Sequence, residues 1–393
     1  MKIILACGIF PPDIGGPATY ADKLAGELNR LGHEVVVLTY RDKTISKLET
    51  RNSKLQLVIV SRKFPKLVRH FVYFWKLFWL ASTADVIYAQ NAVSAGLPAA
   101  LAAGILKKRL VLKVVGDAAW ERARERGKTN DSLEEFQNKP HSLMINFLAK
   151  TQHYISRKAD AIIAPSVYLK NIVQGWGIKE GKIKVVYNSP ETMRGGPPSN
   201  TKEVARQYKE KVLHINTDED VILTVGRLVP WKGFEVLIEL MPQLLVENPN
   251  FKLFIVGEGE EREKLEAKAR ALCLLDAVKL EGRIEHSQIA FYLGAADIFI
   301  LNSQYEGLSH IILEAMRYSP VIASNKGGNP ELIEDGVNGL LVEYNNKEQI
   351  KEAILKLWRD KALREKFVAN SKEKLKQFSF DLMLEQTLTI LSK

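Results

Sequence analysis

Short apolar runs rich in β-branched residues recur along this chain, and segments of helical length separate them. Residues 2–7 and 34–39 are the first two runs, and residues 18–31 between them predict a helix that Gly32 closes. A strand, a helix and a second strand in that order form a βαβ unit, whose strands lie parallel and are covered by helices. The alternation therefore predicts an α/β fold with parallel sheets.

The length of 393 residues allows two domains, each with its own core. Residues 189–200 are rich in Pro, Gly and Ser and predict a linker. The strand pattern resumes beyond this stretch, at residues 221–225. We therefore predict a first domain over residues 1–195 and a second over residues 205–375.

The composition and the charge restrict the partners of the chain. Hydrophobic residues make up 46% and charged residues 26%, as in globular proteins, and no apolar stretch approaches the ~20 residues that a membrane span needs. The net charge of +10 suits an anionic partner, but no basic stripe, zinc finger or DNA-reading helix indicates nucleic acid. Cys7 and Cys273 lie far apart in predicted hydrophobic surroundings, which fits neither a disulfide framework nor a metal cluster and indicates a reducing cytoplasm.

The most informative motif spans residues 306–314, directly after the apolar run at residues 296–301. The run predicts a buried parallel strand, and residues 311–318 predict the helix that follows it. Backbone amides at such a turn can bind phosphate, while Glu306 and Glu314 can accept hydrogen bonds from sugar hydroxyls. This combination indicates a nucleotide sugar. The candidate donor-binding residues at the turn are Gly307, Leu308, Ser309, His310 and Glu314.

A second strand-to-helix loop carries two cations. Arg227 and Lys232 follow the run at residues 221–225 and precede a predicted helix at residues 234–245. Two fixed cations beside a helix N-terminus stabilise the charge that develops on a leaving diphosphate. We therefore predict catalytic roles for Arg227 and Lys232.

The first loop of the chain has two adjacent glycines, Gly15 and Gly16, before a predicted helix. Glycines at this position let a ligand approach the backbone closely. A nicotinamide dinucleotide domain would instead show Gly-x-Gly-x-x-Gly after the first strand and an acidic residue at the end of the second. The chain has neither feature, since the second run ends in Thr39 and Tyr40. A dehydrogenase is therefore not predicted.

The spacing of Glu306 and Glu314, followed by Ser-Pro-Val-Ile-Ala at residues 319–323, resembles the donor-site signature of family 4 glycosyltransferases. These are retaining enzymes of the GT-B fold. The family commonly has Phe and Gly where Leu308 and Ser309 stand. The resemblance implies two Rossmann-like, doubly wound domains that face each other across a cleft.

The resemblance also implies roles for residues outside the central turn. Arg227 and Lys232 match a family Arg and Lys that lie five residues apart, and the glycine pair of the first loop would face the donor phosphates. Two candidates rest on their own positions: Glu306, on the loop after its strand, is a candidate catalytic residue on the sugar side, and Arg283, at the end of the run at residues 278–284, is a candidate contact for the nucleotide base. Residues 376–393 would form a helix that packs back on the first domain.

Asp117 is a further candidate at the end of the strand predicted at residues 109–115. Strand carboxyl ends face the ligand crevice in open α/β sheets, which favours an active-site role. A loop carboxylate is also commonly a helix cap, and this alternative stays open. The family often has a His where Gly116 stands, so the role of that His does not transfer to this chain.

These features predict an enzyme that moves a sugar from a nucleoside diphosphate sugar to a hydroxyl of a glycan or lipid-linked acceptor. Retention of configuration is implied by the resemblance. No metal or other cofactor is predicted, because the histidines show no ligand spacing and the acidic run at residues 218–220 precedes a strand instead of following one. A sugar-nucleotide epimerase of the same fold and a non-catalytic sugar-nucleotide-binding protein are the alternatives.

Residues 62–80 are basic at one end and aromatic through the rest. A helix of this composition can lie in a membrane interface, which would place the protein at the inner face of the membrane. The apolar residues surround the helix instead of forming one stripe, and this favours a helix packed inside the domain. The cations that would face lipid are Arg62, Lys63, Lys66 and Arg69.

Overall fold

The computed structural model describes residues 1–13, 16–42, 55–190, 207, 209–211 and 213–393. These residues form two compact units. Unit 1 comprises Met1–Tyr187 and Asp381–Lys393, and unit 2 comprises Asn188–Phe380. Most of the predicted linker lies outside the described residues.

The sheet of unit 1 is parallel throughout, and the apolar runs of its five inner strands are buried along most of their length. Its strands are β1 (Lys2–Ala6), β2 (Glu34–Arg41), β3 (Gln56–Ser61), β4 (Val86–Gln90), β5 (Arg109–Lys113), β6 (Ala161–Ala164) and β7 (Ile183–Val185). Their order across the sheet is β3-β2-β1-β4-β5-β6-β7. The winding direction reverses between β1 and β4, and such a switch point is where open α/β sheets bind ligands.

The sheet of unit 2 repeats this plan with six parallel strands. They are β8 (Asp220–Val225), β9 (Phe251–Val256), β10 (Val278–Gly282), β11 (Ile298–Leu301), β12 (Val321–Ser324) and β13 (Leu340–Val342). Their order is β10-β9-β8-β11-β12-β13, so the switch point lies between β8 and β11. Every residue of β11 is buried, as expected for a strand that helices cover on both faces.

Helices cover both sheets through amphipathic faces. In unit 1 they are α1 (Gly16–Arg30), α2 (Lys66–Ser82), α3 (Gly96–Leu106), α4 (Ala118–Glu125), α5 (Leu133–Gln137), α6 (Leu143–Lys158) and α7 (Val167–Gly175). In α1 the buried residues include Ala21, Leu24, Ala25 and Leu28, whose spacing of three and four places one stripe on the sheet.

The helices of unit 2 lie between its strands and after the last of them. They are α8 (Phe234–Glu247), α9 (Arg262–Ala271), α10 (His286–Ala295), α11 (His310–Ala315), α12 (Asn329–Leu332), α13 (Lys347–Arg359) and α14 (Lys361–Lys374). Buried residues of α8 and α13 share one apolar core with those of the sheet.

A last helix, α15 (Phe380–Ser392), returns to unit 1. Met383, Thr387 and Leu391 on its inner face are buried. Arg109 at the start of β5 donates a hydrogen bond from Nη2 to the Ile390 carbonyl at 2.8 Å. The end of the chain thus completes the packing of the first unit.

Several elements differ from the sequence expectations. The edge strand β3 was not predicted, although its run of Leu, Val and Ile carries the same signal as the other strands. Helices α4, α5 and α6 lie within residues 118–158, to which the sequence patterns assigned no helix. Helix α11 ends at Ala315, three residues before its predicted end. Cys273 is exposed, so its predicted hydrophobic surroundings were wrong.

The prediction that α2 is packed inside was also wrong for much of its surface. Only Tyr73, Leu77 and Ala81 of this helix are buried. None of the helices in the described ranges combines the length and the hydropathy that crossing a bilayer requires.

Candidate active site

The candidate site in unit 2 lies at the switch point of its sheet. The loops that follow β8 and β11 leave from neighbouring strands at their carboxyl ends. The first loop carries Arg227 and Lys232, and the second carries Glu306. The parallel sheet thereby brings together residues that the sequence separates by more than seventy positions.

Lys232 and Glu306 form an ion pair at the centre of this site. The Lys232 ammonium donates a hydrogen bond to Oε1 of Glu306. Ser303 Oγ donates to the same oxygen at 3.0 Å. Each charged side chain is only 14% exposed, so the pair is largely shielded from water. An ammonium has three N–H donors, and a lysine held in this way can turn another donor toward a phosphate oxygen.

Arg227 lies on the same loop but is exposed. Its guanidinium carbon lies 5.8 Å from the centroid of the Trp231 ring, a cation–π arrangement. The buried Trp231 ring thus supports a cation at the surface of the loop. Arg227 and Lys232 differ accordingly: one is accessible to an anion, and the other is paired.

Asn302 ties the two loops to each other. Its Nδ2 donates to the Gly233 carbonyl at 3.1 Å, and its Oδ1 accepts from the Asn345 amide at 3.0 Å. The Gln304 amide donates to the Trp231 carbonyl at 2.8 Å. Asn302 is 1% exposed, so these bonds hold the Lys232 loop in register with the Glu306 loop from inside the unit.

The loop after β12 supports Glu306 from the other side. The Gly328 amide donates to the Glu306 carbonyl at 2.8 Å. Gly327 has a φ of +61°, and a Cβ at this position would lie 2.3 Å from the same carbonyl oxygen. Only glycine combines this conformation with so close an approach. The sequence motif Gly327-Gly328 therefore positions the backbone of the predicted sugar-side glutamate.

The turn that precedes α11 is built as a helix start. Ser309 is the N-cap, and its Oγ accepts from the Ile312 amide at 3.4 Å. His310 Nε2 lies 3.0 Å from Nδ2 of Asn188. The candidate donor-binding residues 307–310 thus lie where the sequence placed them, between β11 and α11, and their contact with a donor stays a prediction.

Glu314 occupies a different environment from Glu306. It is 1% exposed and lies within α11. Its Oε1 is 3.4 Å from Nε2 of His286, the first residue of α10. Sequence reasoning missed His286, since nothing in the sequence links the start of one helix to the middle of another. The two glutamates of the motif therefore have separate partners, Lys232 for Glu306 and His286 for Glu314.

Arg283 follows β10 and is exposed. Since β10 is the edge strand of its sheet, Arg283 lies on a different strand end from the Lys232–Glu306 pair. Its contact with a nucleotide base stays a prediction.

Two predicted contacts concern the first loop of unit 1. Gly16 is the first residue of α1. Gly15 lies outside the described residues. Asp13, before the glycine pair, forms a bidentate ion pair with Arg62, whose Nη1 is 3.1 Å from Oδ1. Arg62, one of the cations assigned to a membrane contact, is therefore engaged within the unit.

Asp117 is 1% exposed and caps α4. Its Oδ1 accepts from the amides of Ala119 and Trp120 at 2.9 and 3.0 Å. Its Oδ2 accepts from Nε2 of Gln137 at 3.0 Å. Both oxygens thus have structural partners, as the helix-cap alternative requires, while a contact of Asp117 with the sugar stays a prediction.

A buried lysine lies near the switch point of unit 1, and sequence reasoning assigned it only to a strand. Lys113 ends β5 and is 1% exposed. Its Nζ lies 3.6 Å from the centroid of the Tyr20 ring. Burial lowers the pKa of Lys113 to about 7, because a charge is poorly solvated there, while the ring face opposes the shift by favouring the ammonium. Burial raises the pKa of Tyr20 to about 12.

No set of three or more His, Cys, Asp and Glu side chains suited to a metal ion occurs among the residues that the structure describes. Metal-independent catalysis stays a prediction. Arg227 and Lys232 are cations that can stabilise negative charge on a diphosphate whether or not a metal takes part.

Two family models match the chain, one in each half. The model of Glycosyltransferase Family 4 matches residues 14–193, and the model of Glycosyl transferases group 1 matches residues 205–374. The second match contains Arg227, Lys232 and both glutamates of the motif.

Similar proteins agree with these matches. An uncharacterized glycosyltransferase of Methanocaldococcus jannaschii is 26% identical over 96% of this chain and 94% of its own length. The lipopolysaccharide core biosynthesis glycosyltransferase LpsE of Rhizobium meliloti is 29% identical over 60% of this chain and 65% of its own.

Solved structures with a similar fold are also known. The Anabaena protein HepE in complex with UDP-glucose superposes with a TM-score of 0.79 over 100% of this chain and 99% of that one, at 20% identity. A sucrose-phosphate synthase of Thermosynechococcus elongatus gives 0.80 over 99% and 98%, also at 20% identity. The predicted GT-B class, with two Rossmann-like parallel sheets, is confirmed. With the two family models matching successive parts of one chain, the protein is a family 4-like glycosyltransferase.

Proposed function

We propose that the protein transfers a sugar from a nucleoside diphosphate sugar to an acceptor hydroxyl with retention of configuration. The observation that carries this proposal is the shielded Lys232–Glu306 pair, with Arg227 on the same loop, at the switch point of unit 2. Cations at this point suit a diphosphate, and a carboxylate beside them suits a sugar hydroxyl.

The proposed reaction breaks the bond between the anomeric carbon and the leaving phosphate oxygen. The acceptor oxygen forms its new bond to the same carbon on the same face, and the acceptor proton passes to the departing phosphate. Lys232 and Arg227 stabilise the negative charge that grows on the diphosphate. No side chain is assigned as a covalent nucleophile.

Unit 2 is assigned the donor and unit 1 the acceptor, a glycan or a lipid-linked glycan at the inner face of the membrane. The complexes of HepE with UDP and UDP-glucose support a nucleoside diphosphate donor. The lipopolysaccharide enzyme LpsE supports a glycan acceptor. The epimerase and the non-catalytic binding protein are the competing functions, and neither needs an acceptor.

The test measures nucleotide release from a panel of nucleoside diphosphate sugars, with and without candidate acceptors. A transferase releases nucleotide in proportion to acceptor consumed, and mass spectrometry identifies the product. Acceptor-independent conversion of the sugar would show an epimerase, and binding without turnover would show a carrier.

Two substitutions locate the donor. We expect Glu314→Gln to weaken binding of the bare nucleoside diphosphate, since Glu314 is assigned to the ribose hydroxyls. We expect Glu306→Gln to spare that binding and to lower transfer. Calorimetry with the nucleotide alone separates the two, and equal weakening by both variants would refute the division of roles.

A further inference from the structure

The outer side of α2 carries exposed aromatic side chains. Tyr73, Leu77 and Ala81 face inward and are buried. Phe71, Trp75 and Trp79, which are 63%, 42% and 70% exposed, repeat at intervals of four on the opposite side. A soluble helix normally turns polar residues to water on this side, so the exposed aromatic stripe requires an explanation.

Two neighbouring helices also expose apolar side chains. Helix α3 packs beside α2, and α6 packs beside α3. Each carries exposed apolar side chains of its own. They are Leu101 and Ile105 on α3 and Leu143, Met144 and Phe147 on α6, and Leu143 is 90% exposed. We call the outer side of α2, α3 and α6 the three-helix face.

The charges of these helices have one sign. Neither α2, α3 nor α6 contains an Asp or a Glu. The basic residues are Lys66, Arg69 and Lys76 on α2 and Lys150, Arg157 and Lys158 on α6. Lys107 and Lys108, which follow α3, line a shallow pocket together with Lys158, and Asp160 is the one carboxylate in its lining. Cations therefore outnumber carboxylates beside the apolar side chains of the three helices.

We propose that the three-helix face docks on the surface of an anionic lipid bilayer. Trp and Phe suit the level of the lipid headgroups, and the surrounding cations suit their phosphates. A second copy of this chain is a poorer occupant, because two cationic faces would repel each other. The helices lie on the bilayer and do not span it.

This inference extends the proposed function by placing the enzyme where a lipid-linked acceptor lies. Its test uses binding alone and needs neither donor nor acceptor. An inactive protein that binds vesicles would refute the proposed function and leave this inference intact, and an active protein that ignores vesicles would do the reverse.

The exposed tryptophans provide an internal probe. Trp120, Trp176 and Trp231 are at most 3% exposed, and Trp358 is partly buried against the core of unit 2. A change of emission on adding lipid therefore reports chiefly on Trp75 and Trp79. Vesicles of phosphatidylglycerol at low salt should shift the emission to the blue and sediment the full-length protein. Vesicles of phosphatidylcholine should do neither. The double variant Trp75→Gln/Trp79→Gln should sediment far less with phosphatidylglycerol vesicles and should remain folded, since both positions are exposed.

A charge variant tests the electrostatic part. Lys66→Gln/Lys150→Gln/Lys158→Gln should weaken partitioning into phosphatidylglycerol vesicles by roughly 10²-fold, since each cation near an anionic surface contributes on the order of tenfold or somewhat less. The matched control Lys356→Gln/Lys361→Gln/Lys366→Gln removes the same charge from exposed positions of unit 2 and should bind like the wild type. Circular dichroism confirms the fold of each variant.

Three results would overturn the proposal. The first is a wild type that stays in the supernatant over phosphatidylglycerol vesicles at low salt. The second is an equal loss of binding in the charge variant and its control, which would mean that net charge and not this face binds lipid. The third is a dimer in analytical ultracentrifugation that the double tryptophan variant abolishes, which would make a second copy the occupant.

Discussion

The outer helices of the two units differ in how their charged side chains are paired. In unit 2, Glu235 and Glu239 of α8 pair with Lys264 and Lys268 of α9, both at 2.7 Å. Lys347 of α13 joins Glu239 at 2.9 Å. In unit 1, the helices α2, α3 and α6 carry cations and exposed aromatic rings but contain no carboxylate.

The distribution of exposed apolar side chains follows the same division. Of the twenty large apolar side chains that are exposed in the described part of the chain, sixteen belong to unit 1. The two units share one sheet architecture but differ in the apolar character of their outer surfaces. Charges that are paired within a surface attract another molecule only weakly. A surface with exposed apolar side chains and cations can bind an anionic partner.

The interior pair of unit 2 should show the largest effect. We expect Lys232→Ala to lower turnover by roughly 10²-fold or more, because it removes a stabiliser of the leaving diphosphate and leaves the Glu306 carboxylate to repel it. Steady-state kinetics with the donor that the nucleotide-sugar panel identifies measures this. Lys264→Ala, which breaks an exposed pair of the same unit, is the control. Unchanged turnover in Lys232→Ala would refute the role of Lys232 in stabilising the leaving diphosphate.

The buried cation of unit 1 should make the stability of that unit depend on pH. Because the pKa of Lys113 is lowered to about 7, the unfolded chain binds one more proton than the folded one between that value and the ordinary lysine value near 10.5. The free energy of unfolding should therefore rise with pH in this window, by about 1.4 kcal/mol per pH unit at most, and should not respond to Lys113 below pH 7.

Lys113→Met should flatten this rise and stabilise unit 1 at pH 7. Pulse labelling of the buried Cys7 during urea unfolding reports on unit 1, once Cys273→Ser has removed the exposed thiol. Parallel pH dependences in the Lys113→Met variant and its parent would show that Lys113 stays charged, held by the Tyr20 ring.

Two variants of Asp117 distinguish a structural role of this residue from a catalytic one. Asp117→Ala should destabilise unit 1 by about 1–2 kcal/mol, since it removes the cap of α4. Asp117→Asn keeps the side-chain oxygen that caps α4 but turns an amide nitrogen toward Nε2 of Gln137, so it should lose less stability than Asp117→Ala. A loss of turnover in the Asn variant that far exceeds its loss of stability would restore the active-site role.

The smallest effect is expected on the surface of unit 2. Lys264→Ala should change the free energy of unfolding by about 0.2–1 kcal/mol, since Lys264 is 54% exposed and water screens its pairs. The difference from the wild type should shrink as salt is added to thermal melts. A loss above about 2 kcal/mol would mean that the paired surface contributes far more to folding than exposed ion pairs ordinarily do.

Local patterns predicted much of the fold and part of the candidate site. Apolar runs indicated most strands. The strand-to-helix turn at Glu306 was located because the sequence predicts both the strand before it and the helix after it. The bonds of Asn302 and the approach of Gly327 to Glu306 were not predictable, because they join loops that only the strand order brings together. Asp117 shows the opposite limit: the sequence named both of its roles, and burial and hydrogen-bond partners favour the cap.

The exposure of α2 has a related cause. Aromatic residues on every side of a helix give the same pattern whether the second side meets protein or lipid, so periodicity alone does not distinguish the two. The described part of unit 1 covers one side only. The contacts of the exposed side of α2 depend on what surrounds the protein, and the sequence of the chain does not encode them.

The return of α15 to unit 1 has a consequence for the order of assembly during synthesis. Residues 381–393 are translated only after the whole of unit 2, although Met383, Thr387 and Leu391 belong to the packing of the first unit. On the ribosome, unit 2 therefore has all of its residues before unit 1 has its last helix. Unit 1 must persist unfinished while unit 2 emerges, with the surface that α15 later covers open to solvent or to chaperones.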